Sequence, residues 1–234
     1  MIEIERLGAT AQKILNNVNH ELRLPVGNVM NFAEMLSEGL EKFDKDQLKM
    51  LSDEVFKNST RLSTMILNML DLATLDVKKI DLIKKNVNLS EMVEDRVNHC
   101  RKIYLENKPI EFELNIIANM PVIVDPNYMR QVIDNLIINA INYSQKGTIK
   151  ISVQQLHEKN MAEIIIQDNG IGIPQSELFD IFTPFKMGVK TESKAQGRGV
   201  GLALCKSAIE AHGGTIEVES NGLSGALFRV RLVL

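Results

Sequence analysis

Apolar residues in the first part of the chain recur every three or four positions, which is the spacing of one face of an α-helix. One such stripe covers Ile4 to Leu40, and a second covers Leu48 to Ala73. The polar segment between them contains Asp44 and Asp46, and either carboxylate can cap the second helix. The pattern predicts a hairpin of two long amphipathic helices.

The predicted hairpin cannot bury its apolar stripes by itself. Complete burial of one Leu, Ile or Val side chain contributes roughly 1.5–3 kcal/mol, so a seam of this length needs a partner surface. Two hairpins packed as a four-helix bundle bury it, which predicts a homodimer. Pro25 lies on the stripe in the middle of the first helix, where the loss of one backbone donor predicts a kink.

A histidine on the first helix is placed to react. On a helical wheel of about 100° per residue, His20 lies opposite the apolar stripe and is expected to face solvent. At neutral pH a large part of an exposed imidazole is uncharged, and the uncharged ring is a nucleophile. His20 is therefore a candidate reactive residue.

The periodicity changes in the second half of the chain. A charged segment from about Val77 to Leu89 is the expected linker. Beyond it, the pattern predicts helices over about 88–102, 126–143, 175–182 and 200–212, and strands over 110–114, 122–124, 148–154, 162–167, 215–219 and 226–232. Such a mixture predicts an α/β sandwich with helices over one face of the sheet. We expect an α+β chain, with the hairpin in residues 1–80 and the sandwich in residues 81–234.

Composition and charge exclude several classes of protein. The 234 residues carry a net charge of −3, whereas a general nucleic-acid binder needs a strong basic excess. Cys100 and Cys205 lack the spacing of a zinc site. No apolar run approaches the roughly 20 residues of a membrane span, so we expect no membrane contact by this part of the protein. The first residues read as a helix already in progress, and we expect an upstream part that can carry a membrane anchor.

Two asparagines form the first chemical cluster of the second half. Asn135 and Asn139 are four residues apart in a predicted helix, so their amides lie on one face. Amide oxygens are hard, neutral ligands that suit a Mg²⁺ ion bridging phosphate groups. Two asparagines that simply face solvent are the alternative interpretation at this point.

The second cluster directly follows a predicted strand. Asp168 stands at the strand end, where its carboxylate can accept a hydrogen bond from an exocyclic amine such as that of adenine. Gly170 and Gly172 let the backbone approach a ligand without side-chain interference. An ordinary tight turn is the alternative for these residues alone.

The third cluster is rich in glycine. Gly197, Gly199 and Gly201 open the helix predicted over 200–212, where exposed N–H groups and the positive helix end favour an anion. The spacing matches neither a P-loop nor a Rossmann turn. The polar stretch over 186–196 precedes this cluster, and we expect it to close over a triphosphate as a lid.

The order of these motifs resembles that of the sensor histidine kinases of two-component systems over nearly the whole chain. The run Asn-His-Glu-Leu-Arg-Leu-Pro around His20 resembles their H box, and 135–139 resembles the N box. Residues 168–172 are similar to the first G box, 182–185 to the F box and 197–202 to the second G box. The C-terminal half is thereby similar to the Bergerat ATP-binding fold, which gyrase, MutL and the heat-shock chaperone ATPases share.

The resemblance implies an ATP-dependent protein-histidine kinase that autophosphorylates His20 from Mg-ATP and passes the phosphoryl group to an aspartate of a separate response regulator. Glu21 would orient or deprotonate the imidazole. Asn139 with Asn135 would bind Mg²⁺, and Asp168 would bind the adenine amine. The other nucleotide contacts that the resemblance implies are Tyr143, Gly170, Gly172, Phe182, Gly197, Arg198, Gly199, Gly201 and Leu202. Such an enzyme would act as a homodimer in the cytoplasm.

Three positions depart from the family pattern. The family often has a lysine where Asn142 stands, and it commonly has Thr or Asn where Leu24 stands. Because Leu24 cannot hold a hydrolytic water by hydrogen bonding, we predict weak or absent phosphatase activity. Arg198 occupies a position that is often small. The cations that can replace the lysine are Arg130, Lys186, Lys190 and Arg198.

Two interpretations outside the kinase motifs complete the sequence-based picture. His212 ends the last predicted helix, where a cation suits the helix dipole. The competing functional class is a non-catalytic interaction module, in which a dimeric scaffold binds nucleotide weakly or not at all. Asn142 and Leu24 are the residues that favour it.

Overall fold

The structure is a computed structural model that describes residues 22–38, 42–74, 81–105, 108–184 and 201–234. The chain divides into two compact units between Asp71 and Leu72. The first unit is helical and the second contains all of the described strands. Among the described residues, none of the helices is apolar enough over a sufficient length to span a membrane.

The first unit contains α1, over residues 22–38, and all but the last turn of α2, which runs over Lys45–Thr74. Asp44 caps α2, because its Oδ1 accepts from Gln47 N at 2.8 Å while Gln47 Oε1 accepts from Asp44 N at 3.0 Å. Of the two caps that the sequence allows, the structure therefore uses Asp44. The two helices contact each other through Asn28 Nδ2, which donates to Asn58 Oδ1 at 3.3 Å.

The helical pattern continues through the proline of α1. Pro25 is buried and residues 22–38 are helical on both sides of it. Three of its neighbours on the same helix, Leu24, Val26 and Met30, are exposed. The helical hairpin therefore leaves these apolar side chains exposed, as two amphipathic helices do when no further surface packs against them.

The second unit contains two sheets and three helices. In chain order its elements are β1 (Lys85–Asn88), α3 (Leu89–Tyr104), β2 (Ile110–Ile116), β3 (Pro121–Val124), α4 (Pro126–Tyr143), β4 (Gly147–Leu156), a 3₁₀ turn (His157–Lys159), β5 (Met161–Gln167), α5 (Gly201–Ala211), β6 (Thr215–Glu219) and β7 (Leu227–Val233). Strands β1 and β3 pair antiparallel, and the five-stranded sheet has the order β2-β4-β5-β7-β6. Only the β2–β4 pair in this sheet is parallel. The helical hairpin followed by an α/β sandwich confirms the predicted fold class.

The core of the second unit follows from alternation along the strands. In β4, Ile149, Ile151 and Val153 are buried while their neighbours are more exposed, as period-two side chains on a half-buried sheet must be. The corresponding residues of β5 and β7 and the apolar faces of α3, α4 and α5 complete the same core. The helices therefore cover one face of the sheet.

Helix α4 is the element that positions most of the predicted site, and its start is encoded locally. Asp125 is the N-cap, with Oδ1 accepting from Asn127 N at 2.9 Å and from Tyr128 N at 3.4 Å. Pro126 follows at the first helical position, where a missing N–H costs nothing. The helix ends at Tyr143, and the Ser144 N–H caps it by donating to Ala140 O.

Two predicted elements are wrong. The expected linker over Val77 to Leu89 contains strand β1, in which the polar run Lys85–Asn88 pairs with the apolar β3. A strand of an antiparallel sheet can be polar because only one face of such a sheet has to be buried. Residues 175–182 form successive turns rather than an α-helix, with bonds such as Asp180 N to Glu177 O at 2.9 Å. A segment this short gains a helix only from burial, and Phe179 is 94% exposed.

Candidate functional site

The predicted phosphoacceptor histidine and its acidic neighbour, His20 and Glu21, lie outside the described residues. The orientation of the His20 ring therefore stays a prediction. The described part of α1 begins one residue later and includes Leu24, whose side chain is 61% exposed. An exposed Leu24 agrees with the helical wheel, which places it away from the apolar stripe.

The N-box asparagines lie on α4, and the first of them lacks a satisfactory partner. Asn135 Nδ2 is fully buried and makes no hydrogen bond of good geometry, although the Cys205 thiol lies near it. The nearby Cys205 is itself 0% exposed, and burial raises its pKa to about 12, so it offers only a neutral thiol, which is a weak acceptor. A buried amide donor without an acceptor is costly, and a ligand oxygen would relieve that cost.

Helix α5 begins directly against this amide. A Cβ at Gly201 would lie 3.3 Å from both Cγ and Oδ1 of Asn135. Glycine therefore lets the two helices approach here without a tight contact. Leu202 and Phe182 pack against the core beside it. The Lys206 ammonium lies 5.9 Å from the Phe182 ring centroid, within range of a cation–π interaction. The structure therefore brings the N-box helix and the start of the second G-box helix together, as the resemblance implies.

Asp168 lies at the end of β5 and is 7% exposed. Its Oδ1 accepts from Gly170 N at 2.8 Å and from Ala226 N at 3.2 Å. Burial raises the pKa of the Asp168 carboxyl, although these two backbone hydrogen bonds act against the shift. Both described bonds go to Oδ1, so the geometry leaves Oδ2 to accept from a ligand amine.

The backbone around Asp168 is packed so closely that glycine is required. A Cβ at Gly170 would lie 2.4 Å from Tyr143 O, and a Cβ at Gly225 would lie 2.1 Å from Asp168 O. Gly225 N also donates to Gly170 O at 2.8 Å. The C-terminal end of α4, the Asp168 turn and the loop before β7 therefore meet at one point.

The residue after Tyr143 is a second buried group without a partner. Ser144 is 3% exposed, and its Oγ has no hydrogen-bond partner among the described residues. Tyr143 itself is half-buried, and burial raises the pKa of its hydroxyl. The Tyr143 hydroxyl is therefore neutral at ordinary pH, and the backbone carbonyl of the same residue lies against Gly170.

The loop over residues 220–225 supports the other glycine of the turn. Gly172 has a positive φ of 71°, and a Cβ there would lie 3.1 Å from Leu223 N and Ser224 N. Ser220 Oγ accepts from Ile173 N at 2.9 Å and donates to Gly225 O at 2.7 Å. One serine hydroxyl therefore links the two loops that frame Asp168.

Several predicted residues are not placed. Gly197, Arg198 and Gly199 and the predicted lid lie outside the described residues, as do Lys186 and Lys190. Arg130 is exposed on α4. Within the described ranges, no group of three or more His, Cys, Asp or Glu side chains could hold a metal ion.

One prediction outside the nucleotide motifs is wrong. His212 was expected to be a cation at the end of α5, but its Nε2 accepts from Asp125 N at 2.8 Å, which requires a lone pair. Its Nδ1 lies 2.7 Å from Ala208 O and must donate. Burial lowers the pKa of this imidazole, so His212 is neutral and structural rather than a charge at the helix end.

Sequence reasoning missed Ser144, Gly225 and the Asp125–His212 contact. Ser144 directly follows Tyr143, so only its burial distinguishes it. Gly225 precedes a strand, as many loop glycines do, and no local pattern indicates that it contacts Asp168. These residues become visible only when the chain is folded.

Comparison with known proteins agrees with this geometry. A family model described as the histidine kinase-, DNA gyrase B- and HSP90-like ATPase matches residues 124–234, and the histidine kinase A phospho-acceptor domain matches residues 10–77. The chain is 35% identical over 234 residues to the sensor protein KdpD of Clostridium acetobutylicum, covering 99% of this chain and 25% of that protein.

Solved structures share the fold. The histidine kinase AdeS of Acinetobacter baumannii is 25% identical with a TM-score of 0.68, covering 92% of this chain and 97% of that one. A structure of the histidine kinase ThkA in complex with the response regulator TrrA is 24% identical with a TM-score of 0.67, covering 97% of this chain and 63% of that one. This second likeness concerns the fold alone.

The fold and the family models together define a hairpin similar to phospho-acceptor domains, followed by a domain similar to histidine kinase ATPases. The chain belongs to the sensor histidine kinases, the family that its motifs predict. It spans about a quarter of the length of KdpD.

Proposed function

We propose that this chain autophosphorylates His20 from Mg-ATP and donates the phosphoryl group to an aspartate of a separate response regulator. The observation that carries the nucleotide part is the location of the unsatisfied groups. Among the described residues, the buried side-chain polar atoms without a partner are Asn135 Nδ2 and Ser144 Oγ. Both belong to α4 or its cap, beside the residues that the family motifs assign to nucleotide.

The adenine would bind between Asp168 and the end of α4. The Oδ2 atom of Asp168 is oriented by two backbone bonds to its partner oxygen, and it would accept from the exocyclic amine. Gly170 and Gly172 would shape the turn beside the base, because the protein's own backbone fills the space of their missing side chains. Tyr143 and Phe182 would pack beside the base. This arrangement supports selection of a base that carries an amine rather than a carbonyl at that position.

The phosphates would bind between the two asparagines and the start of α5. The amide oxygens of Asn139 and Asn135 fit Mg²⁺, which would neutralise charge on the triphosphate. The Asn135 N–H that lacks a partner would donate to a phosphate oxygen. The N–H groups at the helix start would contribute further donors, from Gly197, Arg198, Gly199, Gly201 and Leu202.

The proposed chemistry at the hairpin is an in-line displacement. A lone pair on a ring nitrogen of neutral His20 forms a bond to the γ-phosphorus, while the bond from that phosphorus to the β–γ bridging oxygen breaks and ADP leaves. The proton on the other ring nitrogen passes to Glu21. Aspartyl transfer then breaks the nitrogen–phosphorus bond and forms an acyl phosphate on the regulator.

The assembly follows from the hairpin. We propose a homodimer, because exposed apolar residues on α1 and α2 such as Met30, Met35 and Phe56 need a cover. The functional boundary is proposed at residue 80, between the end of α2 at Thr74 and the start of β1 at Lys85. ThkA, which shares the fold, forms a complex with the response regulator TrrA, and we infer a partner of the same kind for this chain. The need for ATP supports a cytoplasmic location.

The test is incubation of the full chain with γ-labelled ATP and Mg²⁺. We expect an acid-labile, base-stable label that is absent in His20→Ala and unchanged in His99→Ala, which removes an exposed imidazole of α3. Transfer to a purified receiver domain would then deplete the label. An unlabelled wild type that still dimerises would favour the scaffold class, and undiminished label on His20→Ala would falsify the assigned acceptor.

A further inference from the structure

His212 and Asp125 join three parts of the second unit at a point that the proposed chemistry does not use. The imidazole is 8% exposed and the carboxylate 4% exposed. Nε2 of His212, at the end of α5, accepts from Asp125 N at 2.8 Å, and its Nδ1 donates to Ala208 O at 2.7 Å. Both ring nitrogens are therefore used, in one tautomer.

Asp125 distributes its two oxygens between different elements. Oδ1 accepts from Asn127 N at 2.9 Å, in the first turn of α4, while Oδ2 accepts from Ile83 N at 2.8 Å. Residues 81–84 lead into β1, which pairs with β3 so that Lys85 lies opposite Val124. The carboxylate therefore joins the segment that enters the ATP-binding domain to the start of α4.

We propose that His212 is a positioning residue for nucleotide binding, because it holds the Asp125 backbone and thereby orients the first turn of α4 and the attached segment 81–84. Helix α4 carries Asn135, Asn139 and Tyr143, so a displaced start would move all three together. The inference rests on the proposed function for its effect on ATP, but its structural part does not.

Only a neutral acceptor at position 212 can perform this role. Lys84 disfavours a positive charge on the ring, while Asp125 and the Ala208 carbonyl favour one, and burial outweighs the latter two. Glutamine can accept from Asp125 N through its side-chain oxygen, whereas leucine fills similar space without an acceptor. The pair His212→Gln and His212→Leu therefore separates hydrogen bonding from packing.

The experiment uses the full chain in four forms: wild type, His212→Gln, His212→Leu and the exposed-imidazole control His99→Leu. Hydrogen exchange at the Asn127 and Tyr128 amides is measured without nucleotide. The dissociation constant, KM and kcat are then measured with Mg-ATP. Nitrogen NMR of the wild type reads the His212 tautomer directly.

We expect His212→Leu to speed exchange at Asn127 and Tyr128 about tenfold and to weaken Mg-ATP about tenfold, as loss of one buried bond implies. KM should rise while kcat at saturation changes less than about threefold, because positioning acts on binding. His212→Gln should return both values to within about threefold of wild type, and His99→Leu should change neither.

Three results would overturn the inference. These are a protonated Nε2 in the wild type at neutral pH, unchanged exchange in a folded His212→Leu, and a His212→Gln that behaves like His212→Leu. If His212→Leu does not fold, the His212 tautomer in the wild type and the amide exchange of His212→Gln still test the inference. A wild type that fails to bind Mg-ATP would defeat the proposed function instead, and the exchange arm would still test the positioning role.

A second variant tests the link to segment 81–84. Asp125→Asn keeps one oxygen for the α4 cap but replaces the acceptor of Ile83 N with an amide donor. We expect the Ile83 amide to lose protection while Asn127 keeps it. Equal protection of Ile83 in wild type and variant would remove this link from the proposal.

Discussion

The two faces of the five-stranded sheet differ in how their buried polar groups are satisfied. On the face without helices, Glu163 is 4% exposed, and its Oε1 accepts from Arg231 Nε at 2.9 Å. Arg229 Nε lies 3.3 Å from the same oxygen, and Gln154 Nε2 donates to Oε2 at 2.6 Å. On the helical face, Asn135 Nδ2 lacks any such partner among the described residues.

This difference separates a structural polar cluster from the proposed nucleotide site. Arg229 and Arg231 also pair with Glu219 and Glu217, so each charged group in the cluster around Glu163 has a partner of opposite sign. Burial of a polar group is stable when every donor and acceptor is paired. Asn135 Nδ2 and Ser144 Oγ are buried without that compensation, which supports the proposed binding site.

The largest expected effect concerns the binding face, by which we mean the helical face of the sheet with Asp168 and the groups on α4. It tests whether this face depends on close backbone packing. Gly225→Ala places a Cβ 2.1 Å from Asp168 O at a φ of 64°, and we expect the free energy of unfolding to fall by about 4 kcal/mol. The matched control is Gly213→Ala, which has a φ of 78° but no atom within 4 Å of the new Cβ. It should lose only about 1–2 kcal/mol.

Urea denaturation followed by circular dichroism measures both glycine variants. Equal losses would mean that backbone strain alone matters and that the contact between Gly225 and Asp168 relaxes freely. In that case the binding face would be less rigid than the packing indicates.

The second prediction concerns function at the binding face. Asp168→Asn keeps an oxygen for Gly170 N and Ala226 N but loses the carboxylate that would accept from the adenine amine. We expect ATP affinity to fall about a hundredfold, as for loss of a charged hydrogen bond, while thermal stability changes little. Isothermal titration with Mg-ATP checks this, and an unchanged affinity would remove Asp168 from the site.

The third prediction applies the same chemical change to the other face. Glu163→Gln removes a buried charge that two arginines and Gln154 contact, so the free energy of unfolding should fall by about 2 kcal/mol. ATP affinity should stay as in wild type, because Glu163 projects from the face opposite α4. The two carboxylate variants should therefore change different quantities. Asp168→Asn should lower ATP affinity, and Glu163→Gln should lower the free energy of unfolding. A loss of ATP affinity in Glu163→Gln would break the comparison.

The sequence predicts some parts of the second unit better than others. Local signals are strong for α4, because Asp125 and Pro126 mark its start, and the motif around Asp168 indicates a ligand. They are weak for β1, a polar strand that gains order only by pairing with β3, and for residues 175–182, where turn bonds replace a helix. The Asp125–His212 bond joins residues 87 positions apart, and no local pattern encodes such a contact.

The smallest effect concerns a group that is satisfied only while it is neutral. Burial lowers the pKa of His212 in the folded chain, whereas the unfolded imidazole has its ordinary pKa of 6.5. Its contribution to stability is therefore complete above pH 6.5 and is lost as the pH falls through the folded pKa, because the unfolded state then binds more protons. Asp125 and Lys84 are the charged groups near this ring.

The measurement compares wild type with His212→Gln, because glutamine keeps an acceptor and does not titrate. Urea denaturation at pH 7.5, 6.0 and 5.0 should show the stability of wild type falling relative to the variant, with a slope no steeper than about 1.4 kcal/mol per pH unit for one proton. Other titrating groups, including Asp168, occur in both proteins and cancel in the difference. A constant difference across this range would mean that His212 protonates equally in both states, which is incompatible with an Nε2 that accepts from Asp125 N.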